Sequence, residues 1–317
     1  MIRYGILSTA QVVPRFVAGV KESKDGVVTA IASRGIEKAE KMVQELDIPK
    51  AFGSYEELCQ SEDVDIVYVA VYNQGHYDAA KLALMNNKHV LLEKPFTMTL
   101  AQAEELFAIA KERELFLMEA QKALFLPITD QIQQVIQAGK IGTVHWLDSV
   151  TAYPNIDHIS WFRDLSAGGG VFRGAGTYPL EYMQHLLGAL PEEFKGTLTF
   201  PAGQSDAQAQ ATLRFPNGVL GTIFLTVDLD LPKRMIIYGE KGKIVVPDFW
   251  KTDTAEIEYS DGRKETLHSD QKSEFVFEVE HVNECLKQGL LESPIVTKEL
   301  TLKTVEITEA IYKNNQK

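Results

Sequence analysis

"DIVYVAVYNQGHYDAAKLALMNNKHVLLEKP", residues 65–95, holds two apolar runs separated by an amphipathic stretch. Ile66–Val71 is almost continuously hydrophobic, as expected of a strand buried on both faces of a parallel sheet. Tyr77–Met85 has helical spacing, and Val90–Leu92 returns as a strand. Strand, helix and strand make the crossover that parallel pairing requires. The second strand ends in an acid, a base and a proline: Glu93, Lys94 and Pro95. One reading is a solvated strand end leading into a turn. The other is a cleft, because ligands of open α/β sheets bind outside the carboxyl ends of the strands.

The same alternation extends in both directions. Arg3–Leu7, Val27–Ser33 and Leu115–Met118 read as further strands, and Val12–Val20, Glu37–Leu46 and Leu100–Arg113 as helices. Thr99 and Gln102 have the spacing of a capping box. Residues 1–121 therefore form an α/β domain with a doubly wound parallel sheet. Past residue 122 the pattern changes. Ile128–Ala138 is a helix stopped by Gly139. "ATLRFPNGVLGTIFLTV", residues 211–227, is a hairpin turning at Pro216-Asn217-Gly218, and "RMIIYGEKGKIVV", residues 234–246, turns at Glu240–Gly242. Two helical patterns, Glu274–Lys287 and Lys298–Lys313, close the chain. Residues 122–317 are expected to form a second domain around a sheet built mostly of hairpins.

A chain of 317 residues is too long for one ordinary core, which agrees with two domains. Its 45% hydrophobic and 24% charged content is that of a soluble globular protein. The net charge of −12 argues against nucleic acid, whose backbone demands a basic face. No apolar stretch reaches the roughly 18 residues of a membrane span, and "MIRYGILS" reads as a first strand instead of a signal peptide. Cys59 and Cys285 stand alone, without metal-ligand spacing, so the expected setting is the reducing cytoplasm and no metal is expected.

The first strand runs into "GILSTAQVV", residues 5–13. A dinucleotide fingerprint has glycines where the backbone meets the pyrophosphate. Ser8, Ala10 and Val13 occupy those positions here, so Ser8, Thr9 and Ala10 form a degenerate phosphate turn. The second strand ends "IASRG", with Ser33 and Arg34 where an NAD enzyme carries an acid. An arginine there suits the 2′-phosphate of NADP. NADP is the expected cofactor, with NAD as the second form.

These features, with "ASRGIEKAEKMVQELDIPKAFGSYEEL", "VYNQGHYDAAKLAL", "HVLLEKPFTM", "LFLMEAQ" and "GGGVFRGAGTYPLEYMQHLLG", resemble the Gfo/Idh/MocA oxidoreductases, most of all their dihydrodiol dehydrogenase-like branch. The resemblance covers nearly the whole chain. It implies a Rossmann domain followed by an α/β domain with an open, largely antiparallel sheet. It also implies hydride transfer between a nicotinamide and a small-molecule substrate: a sugar, polyol, diol or related alcohol or carbonyl. By the same resemblance Lys94 polarises the reacting oxygen or relays its proton, Glu93 helps to seat the cofactor, and Lys94–Pro95 is a cis peptide. Asn73 is expected at the cofactor ribose, and His76 at the cofactor or simply at the start of a helix. Gln121, with Glu119, ends a strand at the same carboxyl edge. By the resemblance Trp161 and Arg163 could cover the nicotinamide or bind an anion, although a packing role is the stronger reading for Trp161. Tyr178 takes the position of the second acid–base group.

Two departures stand out. Gly174 replaces the aspartate that many relatives carry, and "KALF", Lys122–Phe125, replaces the branch's "WTRF". The first keeps an alternative open: a non-catalytic dinucleotide-binding sensor, as in the family's galactose-pathway repressor. A reductase of a C=C or C=N bond is a third reading. Members commonly pair through the second-domain sheet, so a homodimer or higher homo-oligomer is expected, with no nucleic-acid or membrane partner.

Overall fold

The computed structural model describes residues 1–270 and 273–315. It divides into two units, Met1–Gln121 with Ser273–Val305, and Lys122–Lys272 with Glu306–Lys317.

The first unit alternates strands and helices: β1 (Ile2–Leu7), α1 (Val13–Glu22), β2 (Gly26–Ala32), α2 (Ile36–Leu46), β3 (Lys50–Phe52), α3 (Tyr55–Gln60), β4 (Ile66–Val69), α4 (His76–Met85), β5 (His89–Glu93), α5 (Leu100–Glu112) and β6 (Leu117–Ala120). The six strands are all parallel, in the order β3-β2-β1-β4-β5-β6. The chain winds outward from β1 through β2 to β3, then restarts at β4 on the other side of β1. That reversal is the topological switch point of a Rossmann sheet. Register aligns the strand ends: Leu7 pairs with both Ala32 and Val69, Val69 with Leu92, and Glu93 with Ala120. The residues just past Leu7, Ala32, Val69, Glu93 and Ala120 are thereby delivered to one edge.

Local chemistry sets the boundaries. Thr99 caps α5 by accepting the Gln102 N–H at 3.3 Å, and the Gln102 side chain reaches back to the Met98 N–H at 3.2 Å. At the other end of α5, Glu114 turns left-handed with φ 55, and the Leu115 N–H closes on the Ala110 carbonyl at 2.8 Å. That cap consumes residues 114–115, so β6 starts two residues later than the sequence pattern predicts and includes Glu119. β3 and α3 are additional to the expected elements. Ser54 starts α3 by accepting the Glu57 N–H at 3.2 Å.

Residues 273–305 join this unit, whereas the sequence reading kept them with 122–317. Their side chains complete its core. Phe16 stacks on Tyr68 at 3.6 Å between centroids and meets Phe275 edge-on at 6.2 Å. The Tyr4 hydroxyl donates to Asn283 at 2.8 Å, and the Leu117 N–H to the Leu291 carbonyl at 3.1 Å. Asn283 lies on α8 (Val276–Lys287).

The second unit contains α6 (Pro127–Gln137), β7 (Val144–Ala152), α7 (Thr177–Leu187), β8 (Glu193–Thr199), β9 (Gln208–Arg214), β10 (Leu220–Thr226), β11 (Arg234–Gly239), β12 (Gly242–Pro247), β13 (Thr254–Tyr259) and β14 (Lys264–His268). Its sheet has eight strands in the order β14-β13-β12-β11-β7-β10-β9-β8, antiparallel except where β10 runs beside β7. Asn217 and Gly218, at φ 63 and 79, make the β9–β10 turn. The last helix, α9 (Lys298–Asn315), is divided between the units at Val305. Among the described residues no helix is long and apolar enough to cross a membrane, and both cysteines are free and buried.

Candidate active site

Five strand ends of the first unit present the candidate residues along one edge. Ser8 comes after β1 in a left-handed conformation, φ 111, held by its N–H on the Ala32 carbonyl at 2.9 Å. Its hydroxyl accepts the Ala10 N–H at 3.1 Å, which shapes the Ser8-Thr9-Ala10 turn. The N-cap residue of α1, Val12, supplies no side-chain hydrogen bond to the first turn. Such an uncapped helix start suits an anionic group. After β2, Ser33 is buried and its hydroxyl donates to the Gly35 carbonyl. Arg34 is exposed, with its guanidinium 5.9 Å from the ring centroid of Tyr72. Tyr72 lies just past the end of β4, next to buried Asn73.

The segment around Lys94 is gripped at three points. Glu93 ends β5 and accepts the Tyr68 hydroxyl at 2.6 Å and the Lys94 N–H at 3.2 Å. Pro95 sits after a cis peptide, and its carbonyl meets His76 Nδ1 at 2.7 Å. The Phe96 N–H donates to buried Glu119 Oε1 at 3.1 Å. Burial pushes the Lys94 ammonium below the ordinary lysine range, and the Glu93 and Glu119 carboxylates oppose that shift.

His76 begins α4, and its second nitrogen lies 3.0 Å from the Val71 carbonyl. Burial brings its pKa down to about 4, against the opposing pull of the two carbonyls. The neutral ring has one N–H and therefore donates to one carbonyl at a time. Both nitrogens face the protein's own backbone, so His76 braces the β4 and β5 ends. Gln121 comes after β6, fully buried, and neither atom of its amide has a protein partner. A buried amide left this way costs on the order of 2–7 kcal/mol, which a bound polar group at the edge would offset. The turn, the helix start and this amide fit a dinucleotide.

Trp161, Arg163 and Tyr178 belong to the second unit. Trp161 is half-buried; Arg163 pairs with Asp157 at 2.7 Å and donates to Gln204 at 3.2 Å, which braces its own loop. Tyr178 is the second residue of α7, half-buried, its ring 6.3 Å from that of Trp250. Trp250 in turn lies 5.8 Å from Tyr153 and offers its carbonyl to the buried Lys122 ammonium at 3.0 Å. The departure "KALF" thus fixes the wall beside Tyr178. The other departure also has a structural counterpart. A Cβ on Gly174 would lie 3.0 Å from the Phe162 ring, so aromatic carbon borders this position.

Sequence reasoning missed Tyr68, Tyr72, Trp250 and Tyr153. A tyrosine inside the apolar run "DIVYVAV" was a usable signal, because a buried phenol needs a partner. Nothing local marks Trp250. Among the described residues no group of three His, Cys, Asp or Glu side chains is placed to hold a metal ion.

A parallel sheet in this order, with its candidate residues along the carboxyl edge beside the switch point, defines a Rossmann domain of the dinucleotide-binding class. Residues 2–121 match the family model described as "Oxidoreductase family, NAD-binding Rossmann fold", and residues 129–245 match the GFO/IDH/MocA C-terminal domain. The chain belongs to the Gfo/Idh/MocA family. It is 31% identical over 305 residues to trans-1,2-dihydrobenzene-1,2-diol dehydrogenase of Xenopus laevis, covering 93% of this chain and 92% of that protein. The mouse enzyme of the same name is 30% identical over 306 residues, covering 93% and 91%. Among solved structures, KijD10, a 3-ketoreductase from Actinomadura kijaniata in complex with NADP and TDP-benzene, superposes with a TM-score of 0.90 at 25% identity, covering 99% of this chain and 98% of that one. The aldose–aldose oxidoreductase of Caulobacter crescentus shares the fold, with a TM-score of 0.89 at 22% identity over 98% and 96% of the two chains.

Proposed function

We propose that the protein is an NADP-preferring dehydrogenase or reductase acting on a sugar, polyol, diol or related alcohol or carbonyl. The observation that carries this reading is the fixed Glu93-Lys94-Pro95-Phe96 segment, gripped by Tyr68, His76 and Glu119 at the carboxyl edge. The nicotinamide supplies the hydride acceptor or donor at its C4. Ser8, Thr9, Ala10, Ser33, Arg34, Asn73, Glu93 and Gln121 are the residues that would hold the dinucleotide, His76 braces them, and Trp161 and Arg163 shape the loop ahead of Tyr178. Lys94 holds a proton at Nζ and stabilises negative charge developing on the reacting oxygen. Tyr178 exchanges the substrate proton at its hydroxyl. Trp250, itself packed near Tyr153, gives the ring of Tyr178 an aromatic neighbour, which suits the apolar face of a cyclic diol or sugar. The names of the relatives and the NADP bound to KijD10 support the same reading.

Gly174 beside Phe162 favours the second reading, a non-catalytic dinucleotide sensor, because no carboxylate stands there. Isotope tracing separates the two. The protein is incubated with NADP and carbinol-deuterated trans-1,2-dihydrobenzene-1,2-diol, polyols or sugars. Deuterium appearing in NADPH supports the enzyme; dinucleotide binding without label in any pairing supports the sensor.

The exposed side of the second-unit sheet supports a homodimer. Trp146 stacks on Tyr238 at 4.6 Å, next to Leu220, which is 51% exposed. An aromatic and leucine stripe on an acidic chain fits a second copy of itself. Light scattering should give about twice 35.4 kDa at micromolar concentration, and a monomer would refute it.

A further inference from the structure

The segment Gln204-Ser205-Asp206 binds both ends of the loop that leads to Tyr178. Gln204 accepts from Arg163 at 3.2 Å; the Ser205 N–H donates to the Arg163 carbonyl at 2.8 Å and its hydroxyl to the Phe162 carbonyl at 2.7 Å. Asp206 holds the far end. Its backbone carbonyl accepts the Val171 N–H at 3.0 Å, and its carboxylate accepts the Phe172 N–H at 2.9 Å. The other carboxylate oxygen accepts the Tyr312 hydroxyl, and the Arg173 guanidinium stacks 3.9 Å from the Tyr312 ring centroid. Asp206 is only 1% exposed. Gly170 is obligatory here: its φ is 120, and a Cβ would lie 1.9 Å from the Asp206 carboxylate.

Directly after this grip the chain makes a π turn, Phe172–Gly176, and α7 begins at Thr177 with Tyr178 next. A π turn adds one residue to a helical path; such turns are rare and frequently lie at functional sites. Relaxation to plain α geometry would rotate the start of α7 by roughly 100°. A buried carboxylate fixed on the N–H of the first π-turn residue opposes that relaxation.

We propose that Asp206 and Tyr312 are positioning residues for Tyr178. They hold the π turn that aims its side chain, and so set the rate of proton exchange without touching substrate. The kinetic part of this inference rests on the reaction proposed above; the geometric part does not.

The test uses the full chain labelled with 3-fluorotyrosine, and the variants Tyr312→Phe and Asp206→Asn. Tyr312→Phe keeps the ring under Arg173, and Asp206→Asn keeps the side-chain volume, so each guards against misfolding of the other. Fluorine NMR lines are assigned with Tyr178→Phe and Tyr68→Phe. The expected result is a Tyr178 line that moves or splits in both variants while the Tyr68 line of the first unit stays. A folded variant with an unmoved Tyr178 line overturns the proposal. With trans-1,2-dihydrobenzene-1,2-diol and NADP, kcat should fall on the order of tenfold with KM unchanged, and adding Tyr312→Phe to Tyr178→Phe should cost nothing more. Additive losses would mean a merely structural role. If the unmodified protein turns nothing over, the reaction reading fails, and the fluorine spectra still decide whether Tyr178 is held.

Discussion

Replacing Arg34 with alanine should remove the preference for NADP while leaving NAD binding nearly as it was. Ser33 is buried and its hydroxyl proton is engaged by the Gly35 carbonyl, so it has no proton to donate to a phosphate without breaking that bond. Arg34 is therefore expected to carry most of the discrimination. A charge-assisted hydrogen bond contributes about 1.5–3 kcal/mol. Arg34 is exposed, where salt and water weaken the contact, so the lower end, about 1.5 kcal/mol or roughly tenfold in affinity, is expected. The guanidinium also lies 5.9 Å from Tyr72, and loss of that packing affects both cofactors alike. The ratio of affinities is therefore the quantity to read. Titration calorimetry of both proteins with NADP and NAD should show NADP weakened about tenfold more than NAD. The gap should narrow as salt rises. Equal losses for the two cofactors, or no preference in the unmodified protein, would refute the reasoning.

Tyr178→Phe should lower the rate on the order of 10²–10⁴-fold and remove one limb of the pH–rate profile; a normal rate with both limbs intact would make Tyr178 a packing residue. If Lys94 serves the reacting oxygen as proposed, Lys94→Met should leave NADP affinity within about threefold on calorimetry; a tenfold or larger loss would instead place Lys94 among the cofactor contacts. His76 gives a pH dependence. Its unfolded form takes up a proton below about 6.5, whereas the folded form stays neutral down to about 4. The unfolded state binds more protons in that window, so stability falls as pH drops from 6.5 to 4, by up to about 3 kcal/mol from this residue. Urea melts of His76→Gln should show a shallower fall over the same window, and parallel curves would remove His76 from the account.

The parallel sheet was legible because Ile66–Val71 and Val90–Leu92 are apolar on both faces, which only a doubly covered strand tolerates. The edge residues were legible for the same reason: once the strands are known, so are their carboxyl ends. β3 was not, since its three residues are partly exposed and carry no apolar run. The late start of β6 came from a helix cap, in which a left-handed Glu114 outweighs strand propensity. Helical spacing at 276–287 says that a helix forms but not which core receives it, and Phe275 and Asn283 choose the first unit. The pairs Tyr68–Glu93, Arg34–Tyr72 and Tyr178–Trp250 join residues far apart in the chain, so no local pattern announces them. Gly174 was visible as a departure, whereas the Phe162 ring against it was not.

The most direct test of the central claim is NADPH absorbance at 340 nm. The unmodified protein and Lys94→Ala are each supplied with NADP and a panel of cyclic diols, polyols and sugars. At least one alcohol should yield NADPH with the unmodified protein, and Lys94→Ala should lose that activity about 10²–10⁴-fold. Turnover that is indifferent to Lys94, or NADP binding with no alcohol oxidised and no corresponding carbonyl reduced by NADPH, would contradict it.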